Sequence, residues 1–545
     1  GFYNTMPVPK AQQVKQLYLK QASQFIIETK KLQSVIATGN EKNCRLQFYK
    51  TRAAYKQMET IVEYYFNFYA LKINGPPIPY FEEDEADMPR QNPVGMQVIE
   101  EIIFGGLKKE DKQKLKFEAS ELVRYAIELP TINESDAFDD ANVFDAFIEE
   151  MYRVTALGIT GFDSQTAVNG LPECKSALEG LQQYLSIYKE EFNKIKPGNF
   201  DKLNHLLSGA LQTLNRTIDF NAFNRMGFII SYLDPATKMI GNFKLNNELN
   251  DNQGGAYYSA IRKNNSMFSP VAFNVNRFLD DYSTSPGKVA LGRMLFFDTQ
   301  LSSNNKRSCA TCHQPGLAFA DGLKTSLALD GHTNLPRNAP TLWNTALQRN
   351  LFWDSRSRTL EGQIMQVLNN ASEMHGSAQV VAVKIIGQTG YQTQYKNAYP
   401  NSKPENAADN ICNAIACYVR TLVALNSKFD KQMNGMPGMT KDETHGFNLF
   451  MGKAKCGTCH FIPLFSGAKP PRYFYMESEV IGVPSTNNKK NAKLDADSGR
   501  YLATGYPIHT FSFKTVSLRN VALTAPYMHN GVYNTLEEVI DFYND

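Results

Sequence analysis

A short pattern of cysteine and histidine occurs twice in this chain of 545 residues, which has only 8 cysteines and 8 histidines. The pattern Cys-x-x-Cys-His reads "CATCH" at 309–313 and "CGTCH" at 456–460. Random placement of these residues predicts only about 0.002 copies, so the repetition indicates a shared chemistry. The residues concerned are Cys309, Cys312 and His313 in the first copy, and Cys456, Cys459 and His460 in the second.

Three chemistries use paired cysteines, but only one requires a histidine directly after the second cysteine. A thioredoxin-like redox pair needs no fixed histidine. A zinc site has no use for a histidine directly after the second cysteine in both copies. Covalent c-type haem needs both: two thiols one helical turn apart add to the vinyl groups, and the next residue offers an imidazole to iron. The pattern predicts two covalently bound haem c groups, with iron ligated by His313 and His460.

The composition is that of an ordinary globular protein, with 42% hydrophobic and 20% charged residues. A net charge of +3 gives no reason to expect nucleic acid as a partner. No apolar run is as long as a transmembrane helix. Because haem is attached to cysteine outside the bacterial cytoplasmic membrane, we expect an exported periplasmic protein whose signal peptide has been removed. The sequence leaves open whether a lipid anchors the protein to the membrane.

Four cysteines lie outside the two motifs: Cys44, Cys174, Cys412 and Cys417. An oxidising compartment permits a disulfide between Cys44 and Cys174, and buried free thiols fit the sequence equally well. Cys412 and Cys417 are five residues apart, which is poor geometry for a disulfide within one helix.

Helical periodicity dominates the first 245 residues. Apolar residues repeat at three- and four-residue spacing between 58 and 69, between 178 and 195, and between 203 and 214. His205, in the last of these stretches, is expected to be structural. The polar stretch 244–259 is typical of a linker, and both haem motifs lie in helical regions with long loops beyond it. We predict an all-α fold: a helical bundle over 1–245, a linker over 246–275, a first cytochrome-c-like domain over 276–430 and a second over 431–545.

Five further segments accompany the motifs: "LGRMLFFDTQLSSNNKRSCATCH", "GHTNLPRNAPTLWN", "LFWDSRSRTLEGQ", "ASEM" and "TVSLRNVALTAPYMHNGVYNTLEEVIDFYN". Together, and at these separations, they resemble the bacterial di-haem cytochrome c peroxidase and MauG superfamily over roughly 275–545. The stretch "YKTRAAYKQME" with "INGPPIP" and "GMQVIEEIIF" is similar to the imelysin-like helical regions that precede some exported haem peroxidases. This second resemblance implies no activity.

The resemblance to the di-haem superfamily implies roles for particular residues. Glu373 and Gln363 match the acid–base and orienting residues of the peroxide pocket over the first haem, and Trp353 matches the residue between the two haems. His332 matches the distal ligand that closes the first haem in resting family members. Calcium is implied between the domains, with Asn338, Thr524 and Pro526 as its ligands.

The second ligand of the second haem distinguishes two branches of the superfamily. In well-studied peroxidases a methionine lies fourteen residues after the histidine of the "PYMHNG"-like motif, and in MauG a tyrosine takes that place. Counting from His529 leads to Tyr543. A phenolate is hard and anionic, so it favours more oxidised iron than a thioether does. We predict His460–Tyr543 ligation, with Met476 or Met528 as the alternative source of a sulfur ligand.

The resemblance therefore implies a periplasmic di-haem peroxidase that reduces hydrogen peroxide with electrons from a small cytochrome c or cupredoxin. A MauG-like oxidase acting on a protein or organic substrate is the main alternative. A non-enzymatic electron-transfer cytochrome is a third reading, against which Gln363 and Glu373 speak, because a pure carrier needs no proton shuttle. The sequence leaves open whether the protein forms a homodimer and whether the N-terminal bundle binds a protein partner. The linker further predicts that the di-haem part folds without residues 1–245.

Overall fold

The fold was analysed in a computed structural model, which describes residues 8–79, 92–132, 138–216, 219–250, 258–261, 266–278 and 283–544. The predicted all-α class is confirmed. Within these ranges, the regular β-structure is one antiparallel pair in which β1, Ser478–Glu479, bonds to β2, Phe513–Lys514. No helix within them is long and apolar enough to cross a membrane.

The chain folds into two compact units. The first unit comprises residues 1–272, 428–458 and 470–472, and the second comprises 273–427, 459–469 and 473–545. Among the described residues of the first unit, the α-helices are α1 Lys10–Thr38, α2 Glu41–Tyr65, α3 Asn67–Asn74, α4 Met96–Phe104, α5 Asp111–Glu128, α6 Asp140–Ala156, α7 Gly170–Ser186, α8 Lys189–Ile195, α9 Asn199–Arg216, α10 Arg225–Phe228, α11 Asp234–Asn246, and then α18 Lys428–Met433 and α19 Lys441–Met451.

Local sequence explains where α2 begins and ends. The Asn40 side chain accepts a hydrogen bond from the backbone N–H of Asn43, which caps the first turn. Met58, Ile61 and Val62 are fully buried, as the apolar spacing predicts. Phe66 leaves helical geometry with φ −125°, so the predicted continuous stripe is divided between α2 and α3.

Charged residues are buried at the centre of the first unit. Arg52 is fully buried and pairs with Glu173, while Lys56 pairs with Glu59 and Asp163, each at 2.6 Å. Burial raises the pKa of Asp163, but Lys56 and its arginine neighbours more than offset this and hold that pKa below its usual value. Buried ions are stable only when paired, so these pairs dictate how the helices can pack.

The polar stretch predicted as a linker begins inside a helix. Lys244 lies in α11, is fully buried, and pairs with Asp145 of α6. Ala260 is also buried, and its N–H donates to the carbonyl of Arg472 at 2.8 Å. Lys244 therefore belongs to the helix that precedes the predicted linker of 246–275, because a lysine can be buried when an acid from another helix neutralises it.

The second unit contains a pair of closely packed helices, Pro286–Phe297 and Ala407–Val419. Its α-helices are α12 Pro286–Phe297, α13 Cys309–Cys312, α14 Leu360–Asn369, α15 Ala378–Ile386, α16 Thr389–Ala398, α17 Ala407–Val419, α20 Tyr501–Thr504 and α21 Leu536–Asn544. Gly292 of α12 faces the backbone of Ala414 in α17 so closely that a Cβ would clash with it. Arg420 donates to both carboxylate oxygens of Glu361, at 2.6 and 2.7 Å, and this buried pair links the end of α17 to α14.

Candidate di-haem site

The first haem-attachment motif forms one helical turn. Ser308 and Thr311 cap it reciprocally, and the N–H of Ser308 donates to Thr311 Oγ1 at 3.0 Å. Burial raises the pKa of Cys309 to about 12 and that of Cys312 to about 11, so both thiols are protonated at neutral pH. Both are free and half-buried. Two adjacent thiols on one turn are the groups that form the two thioether bonds of haem c.

His313 is oriented by a backbone contact. Its Nδ1 lies 3.0 Å from the carbonyl oxygen of Phe319, and because a carbonyl only accepts, Nδ1 carries the proton. Burial lowers the pKa of His313, so the ring is neutral and Nε2 keeps its lone pair. A neutral imidazole with its second nitrogen bonded to a carbonyl is the usual form of a metal-ligating histidine. The chain therefore fits the predicted haem at this motif.

The histidine of the second motif is oriented in the same way as His313. Cys456–Thr458 form a 3₁₀ turn, and the boundary between the two units falls after Thr458. Within the second unit, His460 Nδ1 donates to the carbonyl oxygen of Val516 at 3.0 Å. Burial lowers the pKa of His460 to about 4. His460 is thus also a neutral imidazole with Nε2 available. The carbonyl that accepts from each histidine lies at a different distance along the chain, six residues from His313 and 56 residues from His460.

Gln363 and Glu373 lie in one helix and the turn that follows it. Thr359 caps α14 by accepting from the N–H of Gly362 at 3.1 Å, which places Gln363 half-buried near the start of the helix. The side-chain amide of Asn370 donates to Glu373 Oε1 at 2.8 Å. Burial raises the pKa of the Glu373 carboxyl, and the positive charges of Arg356 and Arg307 counteract part of that rise.

Trp353 is held by two hydrogen bonds. Its indole N–H donates to the carbonyl of Asn338 at 3.2 Å, and its own carbonyl accepts from the N–H of Lys514 at 2.8 Å. The Trp353 ring meets the edge of the His529 ring at 6.5 Å between centroids, and His529 stacks on Phe513 at 3.8 Å. The structure thus places the predicted tryptophan at the end of a row of three aromatic rings.

In the sequence, His529 served only as the position from which Tyr543 was counted, but the structure places it beside Trp353. It is 2% exposed, and its Nε2 lies 3.1 Å from Asp495 Oδ1. Burial lowers the pKa of His529, against the effect of the neighbouring aspartates. The only sequence signal was its place in "PYMHNG", because Asp495 is 34 residues away and nothing local links the two.

Two of the three predicted calcium ligands lie together. The amide nitrogen of Asn338 is 3.2 Å from the carbonyl oxygen of Pro526 and 2.9 Å from that of Met528. Asn338 Oδ1 is buried and meets no donor in the described part of the chain. An amide can be assigned either way round, and the opposite assignment would turn Oδ1 towards two carbonyl oxygens, a set that a cation completes. The Thr524 hydroxyl donates locally, to the carbonyl of Val521 at 3.1 Å.

His332 lies on an exposed turn. Asp330 Oδ1 accepts from the backbone N–H groups of His332 and Thr333, at 2.8 and 2.9 Å. These bonds lower the pKa of Asp330 to about 2. The loop closes where the N–H of Ala328 donates to the carbonyl of Thr333 at 2.8 Å. The structure therefore shows a well-bonded surface turn at His332, and ligation by this residue stays a prediction.

The three candidates for the last iron ligand differ in burial. Tyr543 of α21 is 57% exposed, with its ring 5.2 Å from that of Phe542. Met476 is 8% exposed, and Met528 is half-buried in a left-handed conformation with φ +70°. The tyrosine is the most accessible of the three to an incoming group.

The remaining cysteines are separate thiols in the structure: Cys44, Cys174, Cys412 and Cys417 are all buried and free. Burial raises the pKa of Cys412 above its usual value, so this thiol is uncharged. None of the four belongs to the haem motifs.

Comparison with known proteins agrees with these features. Residues 286–437 match the family described as di-haem cytochrome c peroxidase. The methylamine utilization protein MauG of Methylorubrum extorquens is 34% identical over 260 residues, which cover 48% of this chain and 69% of the relative. Cytochrome c551 peroxidase of Nitrosomonas europaea is 33% identical over 254 residues, covering 46% of this chain and 71% of the relative.

Among solved structures, a MauG-like protein associated with microbial copper homeostasis shares 32% identity, with a TM-score of 0.43 over 48% of this chain and 77% of that one. The family match begins at residue 286, so the imelysin-like character of the N-terminal region stays a prediction. The extent of identity with the curated relatives and the two haem-attachment motifs lead to one conclusion: this chain belongs to the di-haem cytochrome c peroxidase family, whose members are oxidoreductases that carry haem c.

Proposed function

We propose that the protein is a periplasmic peroxidase that reduces hydrogen peroxide to two molecules of water, taking up two protons and two electrons. The electrons enter from a small redox protein, either a cytochrome c or a cupredoxin. When bound, haem c supplies the iron at which peroxide and electrons meet. The observation that carries the proposal is Glu373, a half-buried carboxyl whose Oε1 is held by Asn370 at 2.8 Å.

The chain's own residues supply the proton transfer. Cleaving peroxide to water requires moving a proton from one oxygen to the other, and a positioned carboxyl can accept and return it. Asn370 keeps Glu373 in one orientation. The side-chain amide of Gln363, in the helix α14 that precedes Glu373, orients the peroxide. Burial raises the pKa of Glu373 towards neutral pH, so its carboxylate accepts the peroxide proton more readily and can still return it.

Electron transfer is assigned to Trp353. One hydrogen bond holds its indole N–H and another holds its backbone carbonyl, and His529 and Phe513 continue the aromatic row. A ring fixed in this way keeps a constant distance to its neighbours, which is what an electron relay needs. We therefore infer that Trp353 carries electrons towards the first haem, on which His313 is the ligand.

Cofactor content is the first testable consequence. We expect two covalent haem groups per chain, one on each motif, and none in residues 1–245, where no Cys-x-x-Cys-His pattern occurs. We also propose one calcium ion at Asn338, Thr524 and Pro526. Elemental analysis of the purified protein should give two iron atoms and one calcium ion per chain. A different iron count would contradict the assignment of the motifs.

Activity is tested with the same preparation. Reduced small cytochrome c or cupredoxin should be oxidised on addition of hydrogen peroxide, with two donor molecules consumed for each peroxide. Spectra of the resting, reduced and peroxide-treated protein should show which haem responds. A fully loaded protein that leaves peroxide and donor unchanged would rule out the peroxidase function and favour a plain electron carrier.

A MauG-like oxidase is the second candidate function, favoured by Tyr543. This residue is 57% exposed and occupies the position predicted for an oxygen ligand of the second haem. Such a ligand would let the second haem share the oxidising equivalents of peroxide, which could then be used on a protein or organic substrate.

The test of this candidate is Tyr543→Phe. We expect the near-infrared and resonance Raman spectra of the ferric protein to change, because phenylalanine offers no oxygen to iron, while the haem content stays at two. Phe542→Leu, a change of the neighbouring aromatic residue that leaves the hydroxyl of Tyr543 in place, is the control. A methionine-to-iron charge-transfer band that is present in the wild type and unchanged in Tyr543→Phe would exclude tyrosine ligation.

A further inference from the structure

The loop that carries Trp353 has a strained backbone. This loop, residues 351–357, is closed by a hydrogen bond from the N–H of Leu351 to the carbonyl of Ser357 at 2.6 Å. Within it, Phe352 and Ser355 adopt left-handed conformations, with φ of +65° and +60°. Residues other than glycine are strained in this conformation, and they persist in it only where the surrounding structure holds them. Contacts of the loop with its surroundings must therefore maintain its shape.

Asp354, the residue after Trp353, makes several of these contacts. It is 3% exposed. Its Oδ2 accepts from Arg337 Nη1 at 2.6 Å and from Arg356 Nη1 at 2.9 Å, and its Oδ1 accepts from Arg356 Nη1 at 3.0 Å. Its backbone carbonyl accepts from Arg500 Nη1 at 3.2 Å. Hydrogen bonds between arginine and carboxylate are among the strong ones, so three arginines fix this residue.

Two of these arginines also stack on aromatic rings. The Cζ atom of Arg356 lies 3.5 Å from the centre of the Phe352 ring, and that of Arg337 lies 5.6 Å from the centre of the Phe513 ring. Phe352 directly precedes the tryptophan, and Phe513 is the far end of the aromatic row that the tryptophan begins. Through its two arginines, Asp354 thus connects the rings on both sides of the proposed relay.

The same two arginines are anchored elsewhere in the second unit. Arg356 Nε donates to Gln366 Oε1 of α14 at 3.2 Å. Arg337 donates to both carboxylate oxygens of Asp497, from Nε at 2.6 Å and from Nη2 at 2.9 Å. Since α14 also carries Gln363, these contacts tie the Trp353 loop to the helix of the proposed peroxide pocket.

The Trp353 ring depends on the backbone of this loop for its position. Among the described residues, one hydrogen bond holds the indole, from Nε1 to the carbonyl of Asn338 at 3.2 Å. This bond fixes one edge of the ring, and the rest of its placement follows from the backbone that carries it. Asp354 is the next residue in the chain, so whatever fixes Asp354 also fixes that backbone.

We propose that Asp354 is a positioning residue for electron transfer: by binding Arg337 and Arg356, it holds the strained loop in the conformation that fixes the Trp353 ring. The inference rests on the proposed role of Trp353 as the relay, through which one electron passes from the second haem to the first. No proton moves with it, because the indole N–H faces a carbonyl, which accepts a hydrogen bond but is not a base. Removing the Asp354 charge leaves two arginines uncompensated beside the loop, and the loop moves.

The test is Asp354→Asn in the haem-loaded protein. An electron delivered to the second haem by pulse radiolysis is followed by absorbance to the first. We expect this transfer to slow by roughly tenfold or more, because a misplacement of about 1 Å can cost on the order of 10²-fold. The haem content and the rate at which the already reduced first haem reacts with peroxide should stay at their wild-type values. A merely structural residue would change these two quantities as well.

Asp409→Asn is the matched control, because it makes the same isosteric change at an exposed carboxylate in α17. Its inter-haem transfer should equal that of the wild type. If Asp354→Asn does not accumulate, Arg356→Met carries the same test, since it removes two bonds to Asp354 and the cation over the Phe352 ring. Arg356→Lys, which keeps the charge, should lie between Arg356→Met and the wild type.

The outcomes separate this inference from the proposed function. Wild-type inter-haem transfer in Asp354→Asn, alongside slow transfer in Trp353→Phe, would overturn the positioning role and leave the relay in place. Unchanged transfer in Trp353→Phe would instead overturn the relay role itself. Loss of haem, or an equally slowed reaction of the first haem with peroxide, in Asp354→Asn and Arg356→Met would reduce Asp354 to a structural residue.

Discussion

Glu373→Gln is expected to slow peroxide reduction by about 10²–10⁴-fold, with both haems still attached. Glutamine has nearly the same size and still offers an oxygen to the Asn370 amide, which donates to Glu373 Oε1 at 2.8 Å. It cannot take up a proton from one peroxide oxygen and return it to the other. The loss should appear in donor oxidation at saturating reduced cytochrome, measured across the pH range.

The matched control is Glu405→Gln, the same isosteric change at an exposed carboxyl of the second unit. Its turnover should equal that of the wild type. We expect Gln363→Ala to slow the reaction less than Glu373→Gln, because an orienting amide can be partly replaced by water, whereas a proton acceptor cannot. Wild-type turnover in both Glu373→Gln and Gln363→Ala would reduce these residues to structural ones.

The parts of the site that could be predicted are those whose reactive residues lie close together in the sequence. Cys309, Cys312 and His313 lie within five residues, and one helical turn is enough to present them together. The carbonyl that orients each histidine was not predictable, because Phe319 is six residues from His313 while Val516 is 56 residues from His460. A backbone carbonyl carries no sequence signal.

Contacts between distant segments account for the other omissions. His529 and Asp495, which are 3.1 Å apart, are ordinary surface residue types when read in sequence, and only the fold brings them together. The hydrogen bond from Arg307 to the carbonyl of Ala328 is another contact of this kind, because the two residues are 21 positions apart in the sequence.

The positions of the helices were more predictable than which helices pack against one another. The pattern Thr-x-x-Glu at 440–443 predicts a capping box, and the structure has it: the N–H of Thr440 donates to Glu443 at 2.7 Å and that of Glu443 donates to Thr440 at 3.2 Å. This pattern says where α19 begins. It does not say which other helices α19 packs against, since every amphipathic helix needs a partner and the apolar face alone does not select it.

The packing of α19 bears on the expectation that the di-haem part folds without residues 1–245. The segment 428–458 belongs to the first unit. The backbone N–H of Met226 donates to Asn448 Oδ1 at 2.9 Å, and the amide of Asn448 donates to Asn224 at 3.1 Å. Gly452 lies so close to the Arg225 guanidinium that a Cβ would clash with it. The helix that precedes the second haem motif is therefore packed against the N-terminal region.

Deleting residues 1–245 is accordingly expected to give a protein that aggregates or carries one haem in place of two. Met451, which is fully buried, and Phe447 would become exposed, and Cys456 would lose the fixed turn that presents its thiol. The first motif should be affected less, since Cys309 and His313 lie within the second unit. Haem content and size-exclusion chromatography of the truncated protein measure both effects. Asn448→Ala in the full chain, which removes two of these hydrogen bonds and keeps the bundle, should retain two haems and lose only stability, by about 1–3 kcal/mol. A soluble, monodisperse truncated protein with two haems would instead establish that the di-haem part folds alone, as the sequence predicted.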